Sequence, residues 1–135
     1  MKTIVVAYDG SQHAKKALET AKAIADRFGS KIYVVHVVDT AVLSLSEAFS
    51  TPNVIKSLKE GGEKALREAL NLAPNAEAKL LEGDPAYEIA KFAKDVKADL
   101  VVVGSRGLST IRKSFLGSVA SRLVQESEIS VLVVK

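Results

Sequence analysis

The chain has 135 residues, of which 47% are hydrophobic and 26% charged, a composition that excludes global disorder and suits one domain over residues 1–135. It contains no cysteine, which excludes disulfides, zinc–thiolate centres, iron–sulfur clusters and cysteine nucleophiles. The formal charge is +3, with bases and acids interleaved along the predicted helices, which indicates solvated helix surfaces rather than a nucleic-acid interface. No apolar run approaches the roughly 18 residues of a membrane span, and the N-terminus does not resemble a signal peptide. We therefore expect a cytoplasmic protein that binds neither membranes nor nucleic acids.

The first 38 residues predict a strand, a helix and a second strand. The apolar run 3–7 ends at a turn over residues 8–11, as buried strands do. Apolar residues then recur at helical spacing from Ala14 to Phe28, and Gly29 is placed to stop the helix. Residues 32–38 form the second apolar run, which predicts a second buried strand.

A long helix is predicted in the middle of the chain. Residues 39–52 contain several serines and threonines and predict a loop or a short helix, and a helix from about Pro52 to Leu72 follows. Gly61 and Gly62 lie inside it, where each glycine costs about 1 kcal/mol relative to alanine, so we expect a kink or a close packing contact. The residues expected to face inward are Ile55, Leu58, Ala65, Leu66, Ala69 and Leu70.

The remaining elements continue the alternation of strands and helices. A weaker strand is predicted over 76–81, and Gly83-Asp84-Pro85 predicts a helix cap followed by proline at the first helical position. The inner face of that helix is Ile89, Ala90, Phe92, Ala93 and Val96. A strand over 100–103, a helix from about Ser118 to Glu126 and a strand over 131–134 complete the chain.

This alternation predicts an α/β fold, a doubly wound parallel sheet of five strands with helices on both faces. Ligands of such sheets bind beyond the carboxyl ends of the strands, where the strand order reverses. The positions to inspect are therefore Asp9, Val38-Asp39, residues 82–84 and the segment from Gly104 onward.

The segment after the fourth strand has features of a phosphate-binding loop. Gly104 and Gly107 permit close approach to the backbone, and Gly117-Ser118 place amides and a hydroxyl at the positive end of a helix. It lacks the endings of a P-loop and of the dinucleotide fingerprint. Glycines after a strand also occur in simple turns, and Gly-Ser is a common helix cap. Positive charge could come from Arg106, Arg112 and Lys113.

The pattern Gly104-x-x-Gly107, nine residues, then Gly117-Ser118 resembles the ATP-binding signature of the universal stress protein family. The resemblance extends over essentially the whole chain, including residues 4–11, 33–38, 83–85 and 131–134. One segment departs from the family pattern: residues 125–130, Gln-Glu-Ser-Glu-Ile-Ser, stand where members often have a basic residue or histidine followed by Cys-Pro.

The resemblance implies the strand order 3-2-1-4-5, with Asp9 facing the Gly104 loop. It implies that ATP, accompanied by Mg²⁺, is the ligand, that Ala7 and Val38 line the adenine pocket, Val38 partly through its backbone, and that Asp9 contacts the ribose or the metal. The phosphates and ribose would be surrounded by Gly104, Arg106, Gly107, Gly117 and Ser118, with a further amide from Val119.

Three functions are compatible with these residues. The first is an ATP-binding regulator of a stress response, in which the nucleotide biases residues 105–116 and a surface for an unidentified protein partner. The second is a slow Mg²⁺-dependent ATPase, slow because no motif places a general base. The third is a protein-interaction module of the same fold without nucleotide. A phosphoacceptor domain is disfavoured, since Asp9 lacks the paired acid that such a site needs.

Two further expectations concern the edge strand and the histidines. Residues 129–134 are apolar and contain no proline, and such an edge is normally covered or paired; the resemblance implies a homodimer in which these strands meet, the alternative being an edge shielded by its own loops. His36 is expected to lie in the interior, and His13 to be exposed or beside the nucleotide pocket. Their spacing does not suit a metal pair.

Overall fold

The computed structural model describes residues 1–40, 52–107 and 116–135. The predictions made for residues 41–51, and the charges of Arg112 and Lys113, lie outside this part of the chain. The described elements are, in chain order, β1 (Thr3–Ala7), α1 (Gln12–Phe28), β2 (Lys31–Asp39), α2 (Pro52–Leu72), β3 (Glu77–Gly83), α3 (Pro85–Asp95), β4 (Leu100–Gly104), α4 (Ser118–Glu126) and β5 (Val131–Val134). None of these helices is long and apolar enough to cross a membrane.

The five strands form one parallel sheet in the order β3-β2-β1-β4-β5, which confirms the expected fold class and order. β1 lies in the middle, with Val5 opposite Tyr33 of β2 on one side and Val101 of β4 on the other. The chain therefore leaves β1 in one direction to build β2 and β3, and in the other to build β4 and β5. The order reverses between β1 and β4, where a ligand is expected.

The sheet is covered on both faces because successive side chains of its central strands point to opposite sides. Ile4 and Val6 pack in a buried cluster with α1 and α2, and Val5 and Ala7 pack in a second cluster with α3 and α4. Ile4, Val5 and Val6 are fully buried. The run of apolar residues in β1 thus reflects burial on both faces rather than a single core side.

The stop at Gly29 and the cap before Pro85 that the sequence predicts are both present, and Ser11 supplies a further cap. The Ser11 hydroxyl accepts the amide of Ala14 at 3.1 Å before α1, and Gly29, at φ 68°, ends it. The Asp84 carboxylate accepts the amide of Tyr87 at 3.0 Å, and Pro85 opens α3. Gly117, which precedes α4, offers no side-chain cap.

The structure shifts the bounds of several strands and corrects one inward residue. β3 runs from Glu77 to Gly83 rather than over 76–81. Leu58 of α2 is 42% exposed, so its predicted inward position is wrong. Buried residues of α2 begin at Gly62, which lies against His36 of β2. About 15 Å of helix precedes Gly62, whereas only about 10 Å of strand follows His36, so the start of α2 extends past the sheet.

The Gly61-Gly62 pair has a packing reason at one of its two positions. A Cβ atom at Gly62 would lie 2.7 Å from Cδ2 of His36 and 2.8 Å from Cδ1 of Leu80, whereas a Cβ at Gly61 would meet nothing within 4 Å. The close contact that the sequence predicts is therefore confirmed at Gly62 only. His36 is half-buried between α2 and β2, and its Nδ1 lies 2.9 Å from the carbonyl oxygen of Tyr8.

Candidate functional site

A cavity of about 230 Å³ opens at the carboxyl ends of β1, β2 and β4. All the binding residues expected from the sequence line it, except Val38: these are Ala7, Asp9, Gly104, Arg106, Gly107, Gly117, Ser118 and Val119. The residues at the end of β1 and those after β4 meet at this cavity because the two strands are neighbours in the sheet, although about 95 residues separate them in the chain. The apolar part of the wall includes Ile89 and Val103.

Val38 is not part of this wall. It is only 2% exposed, and the neighbouring residues Val35 and Val37 line the cavity instead. Side chains alternate along a strand, so Val38 points to the face opposite that of Val35 and Val37. Val38 therefore does not line the cavity, and β2 contributes Val35, His36 and Val37 to it.

The three glycines of the loop lie where a side chain would collide with the protein itself. A Cβ at Gly104 would be 2.8 Å from Cβ of His13, and a Cβ at Gly107 would be 2.7 Å from Oδ2 of Asp9. A Cβ at Gly117 would be 3.2 Å from Cα of Arg106. The described ends of the loop are thus packed closely against the start of α1, the end of β1 and each other.

The Gly117 amide differs from the expectation that it faces a ligand. It donates to the carbonyl oxygen of Ser105 at 2.6 Å and so joins the two ends of the loop. The amides of Ser118, Val119 and Ala120 form the first turn of α4, where no earlier helical residue supplies an acceptor, and Gly117 has no side chain to cap them. The start of α4 therefore offers these three amides as hydrogen-bond donors to an anion.

The electrostatics of the cavity favour an anion. The N-terminal ends of three helices contribute to its lining, through the cap Ser11 and Ala14 of α1, Pro85 of α3, and Ser118 and Ala120 of α4. Each helix N-terminus carries a partial positive charge, and the guanidinium group of Arg106 adds a full one. Asp9 is the acidic residue of the lining, and its Oδ1 accepts the amide of Ser11 at 2.9 Å.

Arg106 is held against α1 by a residue that sequence reasoning left without a role. Its Nη2 lies 3.0 Å from Nε2 of His13, and both side chains are partly buried. His13 does not belong to the lining of the cavity. The 93 residues between the two explain why no local motif indicated the contact.

A second contact missed from the sequence ties α3 to α4. Nη1 of Arg122 donates to Oδ1 of Asp84 at 2.6 Å, and the same guanidinium reaches Glu126 one turn further along α4. The hydrogen bond from Arg122 lowers the pKa of Asp84, with a smaller contribution from the amide of Tyr87. Asp84 thereby caps α3 and fixes it beside the helix that carries Ser118.

The described residues offer little of their own for a metal ion. Within residues 1–40, 52–107 and 116–135, no three His, Asp or Glu side chains form a cluster that could hold one. Asp9 is the only acid on the cavity wall in these ranges. A divalent ion here would therefore have to be bound mainly by phosphate oxygens of a ligand, with Asp9 as a supporting group.

These features define a class of protein: a doubly wound α/β domain with an anion-accepting cavity where the strand order reverses. A family model describes the particular group within that class. The chain belongs to the universal stress protein family, whose model matches residues 1–135.

Relatives of similar length support this assignment. A protein of Thermus aquaticus, named for its position as the universal stress protein in the QAH/OAS sulfhydrylase 3′ region, is 42% identical over 99% of this chain and 98% of its own. The universal stress protein MJ0531 of Methanocaldococcus jannaschii is 37% identical over 99% of this chain and 82% of its own.

Three solved structures of similar fold are described with an adenine nucleotide. A universal stress protein in complex with cAMP is 31% identical, covers 99% of this chain and 97% of its own, and has a TM-score of 0.74. The Archaeoglobus fulgidus protein in complex with dAMP is 28% identical, covers 100% of this chain and 98% of its own, and has a TM-score of 0.70. An Arabidopsis thaliana family member with AMP bound is 25% identical, covers 100% of this chain and 92% of its own, and also has a TM-score of 0.70.

Proposed function

We propose that this protein binds ATP, or a closely related adenine nucleotide, in the cavity between β1 and β4, and that the bound nucleotide regulates a stress response. The observation that carries the proposal is the arrangement of one uncapped helix N-terminus, one guanidinium and a tightly packed glycine loop around a single cavity. Backbone amides at a helix start and a nearby arginine together favour phosphate groups. The adenine nucleotides bound to three relatives agree with this ligand class.

The polar and apolar parts of the cavity suggest how the nucleotide lies. The phosphates would occupy the side formed by Arg106, Gly107 and the first turn of α4. The adenine ring would fill the apolar side near Ala7 and Val37. Asp9 lies between these parts at the end of β1, where a carboxylate can accept hydrogen bonds from ribose hydroxyls.

Mg²⁺ would accompany ATP rather than occupy a separate protein site. The cavity contributes Asp9 as its carboxylate, and Mg²⁺ is commonly held by one or two carboxylates together with substrate phosphates. When bound, the ion would neutralise phosphate charge near Asp9. The residues of this chain would bind and orient the nucleotide.

The nucleotide would act by biasing the arrangement of residues 105–116. Residues 105–116 connect β4 to α4, and a ligand that contacts both ends of this segment favours one of its arrangements. A protein partner that recognises that arrangement would then respond to nucleotide occupancy. Hydrogen exchange in residues 105–118 should therefore slow at saturating ATP, and unchanged exchange would contradict this mechanism.

A homodimer through β5 is proposed alongside the nucleotide site. Ser130 and Val134 accept the amides of Val101 and Ser105 of β4, and alternate residues of a parallel strand bond to the same neighbour. The N–H and C=O groups of Val131 and Val133 therefore point to the open edge of the sheet. An apolar edge of this kind is a surface for strand pairing.

Release of bound nucleotide tests the proposed function most simply. The purified protein is denatured, and any released nucleotide is identified by chromatography and compared with the same preparation of the Gly117→Val variant. The larger side chain would crowd Arg106 and Ser105, so we expect ATP, or another adenine nucleotide, from the wild type and a marked reduction from the variant. Equal ATP affinity of the two proteins in a subsequent titration would contradict the proposed site.

A further inference from the structure

His13 and Arg106 form a pair whose chemistry fixes the state of the histidine. The guanidinium group of arginine only donates hydrogen bonds, so Nε2 of His13, 3.0 Å from Nη2 of Arg106, must accept. A histidine that accepts at Nε2 carries its proton on Nδ1 and is neutral. The contact therefore exists only while His13 is uncharged.

The backbone of His13 cannot easily move away from this contact. His13 is the second residue of α1, directly after the turn in which the Ser11 hydroxyl caps the Ala14 amide. On its other side, the backbone of Gly104 lies so close that an added Cβ would be 2.8 Å from both C and Cβ of His13. The histidine is thus anchored to α1 and to β4 together.

Arg106, by contrast, lies in the loop and lines the cavity. An arginine side chain loses about 1.5–2 kcal/mol of rotamer freedom when it is fixed in one position. A residue that already holds the guanidinium in place lowers this cost when a ligand binds. His13, which does not line the cavity, has the position needed for that role.

We propose that His13 is a positioning residue that holds Arg106 toward the phosphates of the bound nucleotide. The inference rests on the proposed function, since it specifies how the same cavity retains its anion.

Other charged side chains lie on α1 and on neighbouring described segments, and their effect must be separated from that of Arg106. Arg106 contacts the ring directly, and Lys16 lies one turn further along α1 on an exposed position. The charged residues of the neighbouring described segments are Asp9 before α1, Lys15 and Lys16 on α1, Glu68 on α2, Arg106 after β4 and Lys135 after β5.

The test compares three single variants by calorimetric titration with ATP and Mg²⁺. His13→Leu removes the acceptor, His13→Gln keeps an acceptor near the position of Nε2 without a titrating proton, and Lys16→Gln removes a neighbouring charge as the matched control. At one fixed pH, we expect His13→Leu to weaken ATP binding by about fivefold and the other two variants to stay within about twofold of the wild type.

The glutamine variant separates positioning from a general structural effect, because His13→Gln restores an acceptor and should retain the affinity that His13→Leu loses. A double variant, His13→Leu with Arg106→Met, should bind no worse than Arg106→Met alone, because His13 acts through Arg106.

The outcomes that contradict this role differ from those that contradict nucleotide binding. If the wild type binds ATP and His13→Leu binds equally well, or if the two substitutions weaken binding additively, the positioning role is wrong and the site stands. If the wild type binds no adenine nucleotide, the proposed function fails. In the nucleotide-free protein, ¹⁵N shifts of His13 should show the Nδ1–H form, and no change on Arg106→Met would contradict the contact itself.

Discussion

Tyr8 is a buried residue whose hydroxyl group has no hydrogen-bond partner among the described residues. Its side chain is 2% exposed and packs in the cluster between the sheet, α1 and α2. Burial raises its pKa above the ordinary value of 10.0, and the charges of Glu68 and Asp9 raise it further. A buried hydroxyl without a hydrogen-bond partner lowers the free energy of unfolding. The hydroxyl of Tyr8 therefore destabilises the fold.

Tyr8→Phe should therefore stabilise the protein by about 1 kcal/mol in urea unfolding near pH 7. It should also reduce the loss of stability at alkaline pH. The native state holds the Tyr8 proton above pH 10, while the unfolded state releases it. The free energy of unfolding of the wild type therefore falls as the pH rises through and beyond that value. Tyr87→Phe, at an exposed position, is the control and should change neither quantity. A loss of more than about 1 kcal/mol in Tyr8→Phe would show that the hydroxyl has a partner, such as a buried water.

The residues of the site show what local sequence can and cannot indicate. Gly104, Gly107 and Ser118 follow from a motif, because phosphate-binding loops need small residues and a helix start at set spacings. The contact of Arg106 with His13 joins residues 93 positions apart and has no signature in spacing. Val38 was assigned to the cavity in place of Val37. A shift of one residue along a strand moves a side chain to the opposite face of the sheet, and a run of valines does not show which residues lie on which face.

At the scale of elements, the boundaries of α2 and α4 agree with the sequence because each has a clear start. Pro52 opens α2, and Gly117-Ser118 opens α4. The interior of α2 was harder to predict, since Leu58 has the helical phase of a buried residue and yet lies where the helix extends past the sheet. The sequence shows which residues share one face of a helix. The exposure of those residues also depends on how far the sheet extends along the helix.

The Gly61-Gly62 pair of α2 offers a matched test of packing. Gly62→Ala would place a methyl group within 2.8 Å of His36 and Leu80, and such overpacking typically costs 1–3 kcal/mol, so we expect a net destabilisation of about 1 kcal/mol after the gain in helix propensity. Gly61→Ala, where nothing lies within 4 Å, should stabilise by up to about 1 kcal/mol. Chemical unfolding of both variants measures the difference, and equal effects would contradict the close approach of α2 to β2.

At the scale of the whole molecule, the fold was predictable because alternating strands and helices restrict the architecture strongly, while the strand order came from the family resemblance. The open edge of β5 then bears on assembly. Val124 of α4 is 53% exposed and, two residues from Arg122, lies on the side of α4 away from α3. This side and the edge of β5 would together form an apolar strip along one flank of the molecule.

Val133→Pro should convert the proposed dimer into a monomer. Val133 directs its N–H away from β4, so proline there removes a donor from the open edge while the bonds of Ser130 and Val134 to β4 can persist. Val133→Thr keeps both the shape and the N–H and serves as the control. Light scattering after size exclusion should show a dimer for the wild type and the threonine variant and a monomer for the proline variant. A monomeric wild type, or a dimeric and folded proline variant, would contradict pairing through β5.

The central claim is that the first turn of α4 binds the phosphates of an adenine nucleotide, and Ser118→Asp tests it most directly. A carboxylate at the first residue of a helix stabilises that helix but repels a phosphate at the same place, so stability and binding should change in opposite directions. Gln125→Glu adds the same charge in the last turn of α4, away from the cavity. Calorimetric titration with ATP should show binding by the wild type and Gln125→Glu, and a loss of at least about tenfold in Ser118→Asp with no loss of thermal stability. Equal ATP affinity in all three proteins would contradict the account.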